Sequence, residues 1–322
     1  MPSNKSDPLI TKEKKNILNF ISRNIKRNIS AISKIIYSYG GKFGNILICL
    51  NKIIFFCEII GCKEIILNNK AFWFLKRPIK LEETNITIKT QNFDRHNNLK
   101  IIKELNSGII LFNSFNVFFY FYKIKPNIRI ILLRDEIINN LPKFNISKKD
   151  LYIHLRSGDI YKKNAHGKYS QPPLCFYSNI LNNFNFGNIY LISNDNNNPI
   201  INRLTKKYNN IIYTKNSLEY DLSHLMNSYN LVGSISSFLN IIILLNYNLE
   251  NLWEYNIYQV TQRLRQIRYD LFQFPNNFTI YRMEASINYK NKMYNWKNSK
   301  SQRKLMMKEK CINSFMILFY GH

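Results

Sequence analysis

The spacing of apolar positions changes several times along the chain, and those changes divide it. Ile35-Ile36-Tyr37 is a short apolar run that meets Gly40-Gly41-Lys42-Phe43-Gly44-Asn45, and residues 46–60 are then apolar apart from Asn51-Lys52 and Glu58. Gly61 ends that run and residues 63–67 resume as a strand. Strand, glycine-rich loop, helix and strand make one right-handed βαβ unit. Residues 70–100, with Trp73 and Pro78, lose the pattern and predict irregular connections, with Asp94-Arg95-His96 as a candidate acceptor-facing loop. Residues 108–122 predict a buried strand or helix. They run into an aromatic-rich stretch (Phe112, Phe115, Phe118, Phe119, Tyr120, Phe121, Tyr122) that reads as a core helix. Residues 128–133, with Asp135 and Glu136 behind them, predict a last helix and a linker, and Lys148-Lys149-Asp150 marks a boundary.

From Leu151 onward strands and helices alternate. Residues 151–155 predict a strand. Residues 169–181 predict a helix entered through Pro172-Pro173, which suit a first turn. Residues 187–193 and 211–214 predict strands, and residues 199–208 and 221–229 predict helices. Residues 231–235 predict a strand that turns at Ser236-Ser237-Phe238 into an apolar helix over 239–245. Residues 249–272 predict a helix that Pro275 breaks, and residues 281–310 predict amphipathic packing. Residues 1–34 carry Ile17, Leu18, Phe20, Ile21 and Ile25 among Lys and Arg, a basic amphipathic helix suited to packing or to a membrane surface. The expected organisation is a basic extension over 1–34, α/β domains over 35–148 and 149–250, and a helical segment over 251–322.

Composition narrows the class of function. The 322 residues carry 46 Lys and Arg against 20 Asp and Glu, a net charge of +26, with 45% hydrophobic residues. That much apolar sequence buries a core and excludes wholesale disorder, and the charge attracts polyanions. The basic residues are spread along the whole chain, and no helix-turn-helix, zinc or RNA-recognition signature accompanies them, which argues against a nucleic-acid partner. The cysteines, Cys49, Cys57, Cys62, Cys175 and Cys311, have no metal-type spacing and mostly apolar neighbours. They predict reduced core thiols and a reducing compartment. Without a secretory apolar core or a clean membrane span, a cytoplasmic or membrane-associated chain is expected.

The chemistry concentrates in Leu-Tyr-Ile-His-Leu-Arg-Ser-Gly-Asp-Ile-Tyr over 151–161. Strand geometry puts His154 and Arg156 on one face, about 7 Å apart. Gly158 permits a sharp turn and a close approach. A guanidinium at the carboxyl end of a strand suits a phosphate, because its planar fork donates two parallel hydrogen bonds. The plainer alternative is an ion pair between this end of the strand and Asp159. Asn194 and Asp195 end the next strand, where an amide or carboxylate can pair with a purine edge or cap a turn. Ser236 and Ser237 open a helix whose free amides offer a phosphate cradle, or simply cap it.

Taken in order, these pieces resemble the GDP-fucose-dependent fucosyltransferases, the α-1,2-, core α-1,6- and protein O-fucosyltransferase superfamily. The residues that carry the resemblance are His-x-Arg-x-Gly-Asp at 154–159, Ile-Ser-Asn-Asp at 192–195, and Asp221 with Met226 and Ser236-Ser237-Phe238. Gly41-Lys42-Phe43-Gly44-Asn45 is similar to the family's amino-terminal Gly-x-x-Gly-Asn-Gln loop. Ile46 replaces the Gln of that loop, Ser157 replaces a second Arg, and Asn194 stands where Asp is common. The resemblance implies an α/β, GT-B-like fold, two Rossmann-type domains facing a cleft. It implies inverting transfer of fucose from GDP-fucose to a glycan or protein hydroxyl, with no metal. Arg156 would bind the β-phosphate, and His154 and Asp195 would contact guanine or ribose, with Asn194 beside them. Ser236, Ser237 and Phe238 would close on the phosphates, while Gly44 and Asn45 approach from the first domain. Asp159 is a candidate base and a candidate orienter of Arg156. Restoring Arg at Ser157 is expected to be tolerated.

Overall fold

The computed structural model describes residues 33–37, 42–68, 72–81, 84–91, 109–112, 133–163, 165, 167, 169–213, 215–257, 277–311 and 314–320. The chain divides into two compact units, Met1–Asn140 and Leu141–His322. Each is an α/β unit built on a largely parallel sheet.

In the first unit β1 (Lys34–Tyr37), α1 (Phe43–Ile60) and β2 (Glu64–Asn68) form the expected βαβ, with β1 and β2 parallel. α1 is apolar on nearly all sides because it is a core helix. Leu47, Leu50, Ile53, Ile54 and Cys57 are all fully buried. It is long and apolar enough to cross a membrane, yet most of it is packed inside the protein. Gly61 ends it at φ 72°, a left-handed position that glycine takes without a Cβ clash, and donates to Glu58 O. Residues 72–81 and 84–91 are more regular than their sequence suggests. They contain β3 (Ile79–Leu81) and β4 (Ile86–Gln91), paired antiparallel after a turn in which Asn85 adopts φ 54°. The sheet runs β3-β4-β2-β1-β5, with β5 at Ile109–Phe112 and parallel to β1. The short helix α2 (Arg134–Asn139) ends the unit. The basic segment 1–32, Gly40, Gly41, Asp94-Arg95-His96 and the aromatic stretch 113–124 lie outside the described residues.

The second unit carries β6 (Leu151–His154), α3 (Leu174–Asn183), β7 (Ile189–Ile192), α4 (Pro199–Lys207), β8 (Ile211–Tyr213), α5 (Leu218–Asn227), β9 (Asn230–Val232) and α6 (Ser237–Leu245). Residues 251–257 and 277–320 then differ from expectation. Asn251–Asn256 is strand β10, not the start of a helix, followed by β11 (Phe278–Glu284), α7 (Ile287–Met293), α8 (Lys300–Lys308) and β12 (Met316–Tyr320). The reason is a period of two: Trp253 and Tyr255 are buried and Glu254 between them is not. Residues 258–276 lie outside the described residues.

The sheet order is β12-β11-β10-β9-β6-β7-β8, with every pair parallel except β11 with β12. Counting from β6, the six parallel strands run 6-5-4-1-2-3, the Rossmann order, whose direction of winding reverses between β6 and β9. The cysteine expectation also needs correction. Cys175, at the start of α3, and Cys311, beyond α8, form a disulfide across 136 residues, while Cys49, Cys57 and Cys62 are free and buried. The sequence separation hid the pairing.

Candidate functional site

Ligands in open α/β sheets bind outside the carboxyl ends of the strands where the winding reverses. Here those ends belong to β6 and β9. β6 finishes at His154, and β9 leads through Gly233 into Ser234 and the start of α6. Ser234 Oγ and His154 Nδ1 are 2.8 Å apart, so a buried hydrogen bond joins the two strand ends across the reversal point. The Phe238 ring lies 5.4 Å from the imidazole. Burial, and then the positive charge of Arg156, lower the His154 pKa to about 3, so the ring is neutral at physiological pH. A neutral ring can donate or accept a hydrogen bond but carries no charge to offer an anion.

That charge comes from Arg156. Its side chain is only 15% exposed, and one guanidinium nitrogen donates to Asp159 Oδ1 at 2.7 Å. The guanidinium also lies 5.4 Å from the centre of the Tyr169 ring. Its Nε is buried and has no hydrogen-bond partner among the described residues. The Asp159 ion pair named as the plainer alternative is therefore formed, yet it satisfies only part of the fork. An orphaned buried donor costs about 1–3 kcal/mol.

Asp195 fixes the loop that presents Arg156. Its Oδ1 accepts from Ser157 Oγ, from Gly158 N at 3.1 Å and from Asn197 N at 3.0 Å. Desolvation pushes this carboxyl up, but the hydrogen bonds outweigh it and hold the pKa below the ordinary value. With Oδ1 spent inside the protein, Oδ2 is the oxygen with capacity left, since its partner Asn194 Nδ2 is 3.5 Å away. Ser157 is fully buried and also accepts from Asn198 N at 3.0 Å. An Arg there would have to displace these contacts, so Ser157→Arg is now expected to disturb the loop. Gly158 has φ 71°, and a Cβ on it would sit 2.5 Å from Asn194 Nδ2. The glycine is needed twice over, for its conformation and for the close pass of the Asn194 amide.

On the β9 side, Ser236 is the N-cap of α6, its hydroxyl accepting from Phe238 N at 3.2 Å. Ser237 is the first residue of that helix. His154, Arg156, Ser236, Ser237 and Phe238 thus gather at one edge of one sheet, with Asn194 and Asp195 at the end of the neighbouring β7. Gly44 and Asn45 sit in the first turn of α1, in the first unit. Further along the same end of the second unit's sheet, Asp221 in the first turn of α5 has a buried Oδ1 with no partner among the described residues. Burial raises its pKa to about 6, against one hydrogen bond from Asn216 that lowers it.

Several contributors escaped the sequence reading. Ser234 and Tyr169 carry no motif. Asn198 was legible as Asn-Pro, an N-cap followed by Pro at the first helical position. Its Oδ1 accepts from Ile200 N at 3.0 Å and its Nδ2 donates to Arg156 O at 3.0 Å. Gln171 donates to Ile235 O at 3.4 Å and so reaches the β9 side, with its own Oε1 buried and unpaired.

No family model matches the chain. No curated protein matches it either. Solved structures similar to it include E. coli heptosyltransferase WaaC with ADP, at 9% identity over 68% of this chain and 86% of that chain, with a TM-score of 0.36. E. coli heptosyltransferase WaaC with ADP-2-deoxy-2-fluoro heptose is similar at 9% identity over 68% of this chain and 88% of that chain, with a TM-score of 0.39.

Proposed function

We propose that the second unit binds a nucleoside-diphosphate sugar and that the chain is a glycosyltransferase, with GDP-fucose as donor and a glycan or protein hydroxyl as acceptor. The observation that carries the reading is Arg156, a nearly buried guanidinium with an unpaired Nε, at the carboxyl end of β6 where the sheet reverses. Next to it, α6 opens behind Ser236, and the amides of a helix start favour an anion. The donor sugar is the one implied by the resemblance of the motifs around His154, Asn194-Asp195 and Asp221 to the GDP-fucose-dependent fucosyltransferases.

In the transfer, the acceptor oxygen forms a bond to the anomeric carbon as that carbon's bond to the β-phosphate oxygen breaks, inverting the centre. The electron pair leaves with the diphosphate, and the acceptor proton passes to a base. Arg156 meets the charge that develops on the leaving oxygen, an electrostatic role that requires no metal. Asp159, bound to the guanidinium, keeps the fork aimed. His154, neutral and tied to Ser234, offers its ring to the ribose or the base. Asp221 Oδ1 suits guanine, whose pairing edge carries N–H donors where adenine's position 2 has none. Among the described residues the polyanion-binding alternative has no comparable built site to support it.

The test is a thermal-shift panel with GDP, ADP, UDP and CMP, each with and without EDTA. GDP at about 100 times its Kd stabilises the protein by about 2.7 kcal/mol, the other nucleotides do so much less, and EDTA changes nothing. Equal shifts from all four nucleotides would sink the GDP assignment, and no shift from any would sink the sugar-nucleotide reading.

A further inference from the structure

We propose that residues 286–311 are a clamp that positions Arg156, with Trp296 and Asn298 as its contacts. The inference rests on the reading of Arg156 as the residue that meets the ligand's phosphate. Two neighbours define the guanidinium: Asp159 at 2.7 Å and the ring of Tyr169 at 5.4 Å. They come from different loops, and the same C-terminal stretch holds both.

Asp159 stands on the short 3-10 helix Gly158–Tyr161, at whose end Lys162 N donates to Asp159 O at 3.3 Å. So short a turn has little stability of its own. Its last two carbonyls are bonded from outside. Trp296 Nε1 donates to Ile160 O at 2.6 Å, and Asn298 Nδ2 donates to Tyr161 O at 2.5 Å. The Tyr161 ring also stands edge-on to the indole at 5.7 Å. On the other side, Trp296 N donates to Gly167 O at 3.0 Å, two residues before Tyr169. Ser170 Oγ donates to Met293 O, and Tyr289 OH donates to Gln171 O at 2.8 Å. A side chain at Gly167 would run into Asn295, which explains the glycine.

The clamp is itself rigid. Gln302 accepts from Lys297 N at 2.9 Å and donates to Asn295 O at 2.9 Å and Lys292 O at 3.1 Å. Asn298 holds a left-handed φ of 53°. Trp296 is fully buried, and the Cys175–Cys311 disulfide pins the far end to α3. Trp296 and Asn298 act on Arg156 through the backbone of the turn, so they are positioning residues. A small misplacement of such a group costs up to about 10²-fold in rate.

The test uses two variants of the full chain. Trp296→Phe keeps a ring and loses the N–H, while Asn298→Gly keeps the left-handed backbone and loses the amide. Hydrogen exchange without ligand should accelerate over residues 156–163 in both, with β7 and α3 unchanged. GDP affinity should fall about tenfold in each, and Trp296→Phe combined with Arg156→Lys should bind no more weakly than Arg156→Lys alone. Exchange that is unchanged, or faster throughout the unit, overturns the clamp, and so do additive losses of affinity. If Trp296→Phe fails to fold, Asn298→Gly decides. A wild-type protein that binds no nucleotide would refute the sugar-nucleotide reading, while the exchange measurement would still decide the clamp.

Discussion

Ser157→Ala removes one oxygen and should unsettle the whole site. The hydroxyl donates to the half-buried Asp195 and accepts from the fully buried Asn198 N. Losing the bond to a carboxylate costs about 1.5–3 kcal/mol, and stranding the buried Asn198 N–H adds about 1–3 kcal/mol. Gly158 N and Asn197 N still serve Asp195 Oδ1, so the sum is softened to about 2–4 kcal/mol. For a domain of this size that is a fall in Tm of roughly 5–15 °C. The pH dependence checks the cause. A carboxyl held below its ordinary value of 3.8 gives stability that is present above that pH and lost as pH falls through the folded value. The gap between wild type and Ser157→Ala should therefore be full at pH 7 and smaller at pH 3, measured by denaturant titration at both. A variant within about 2 °C of wild type at neutral pH, or a gap of equal size at pH 3, would refute the account of this network.

Three further outcomes follow from the same geometry. Gly158→Ala forces an L-residue to φ 71° against Asn194, and should cost about 1–3 kcal/mol by thermal melting and weaken nucleotide binding. For Asp221, burial raises the carboxyl from 3.8 to about 6. Its stabilising contribution is thus full below pH 3.8 and lost as pH rises through 6. Asp221→Asn should then gain Tm over wild type at pH 7 but not at pH 4, and should abolish the fall in GDP affinity that wild type shows below pH 6. Reducing Cys175–Cys311, which closes a long loop, should cost about 2–5 kcal/mol. The check is the melting temperature with and without reductant, which Cys175→Ser should match.

The second unit was the legible part, because its helices and strands are short, strongly periodic and separated by Gly, Pro, Asn or Ser. The strand ending at His154, the turn at Gly158 and the cap at Ser236 each announce themselves locally. What failed was non-local. The sheet order that makes β6 and β9 neighbours has no signature in either strand, so Ser234 could not be seen as the partner of His154. Ser157 read as a missing arginine because its partners, Asp195 and Asn198, lie 38 and 41 residues away. The Cys175–Cys311 pair spans 136 residues and is invisible for the same reason. β10 was misread for a different cause: a short alternation over residues 253–256 was absorbed into the helix expected over 249–272.

The charge of Arg156 is harder to explain as scaffolding than as function. An arginine that is mostly buried loses hydration, and an ion pair with one partly exposed aspartate returns little of it. If its purpose were packing, an apolar side chain over Tyr169 would serve without that penalty. Around it, Asp195 is committed to Ser157 and Gly158, Asn198 to the Arg156 carbonyl, and Trp296 and Asn298 to the turn that carries Asp159. Every one of these contacts constrains the backbone that presents the guanidinium, and none of them uses its Nε. Such an arrangement fixes a cation in place before an anion arrives, so little of the binding energy is spent on ordering the protein. A leaving diphosphate gathers negative charge during transfer, and a cation already in position stabilises it with no reorganisation at that moment.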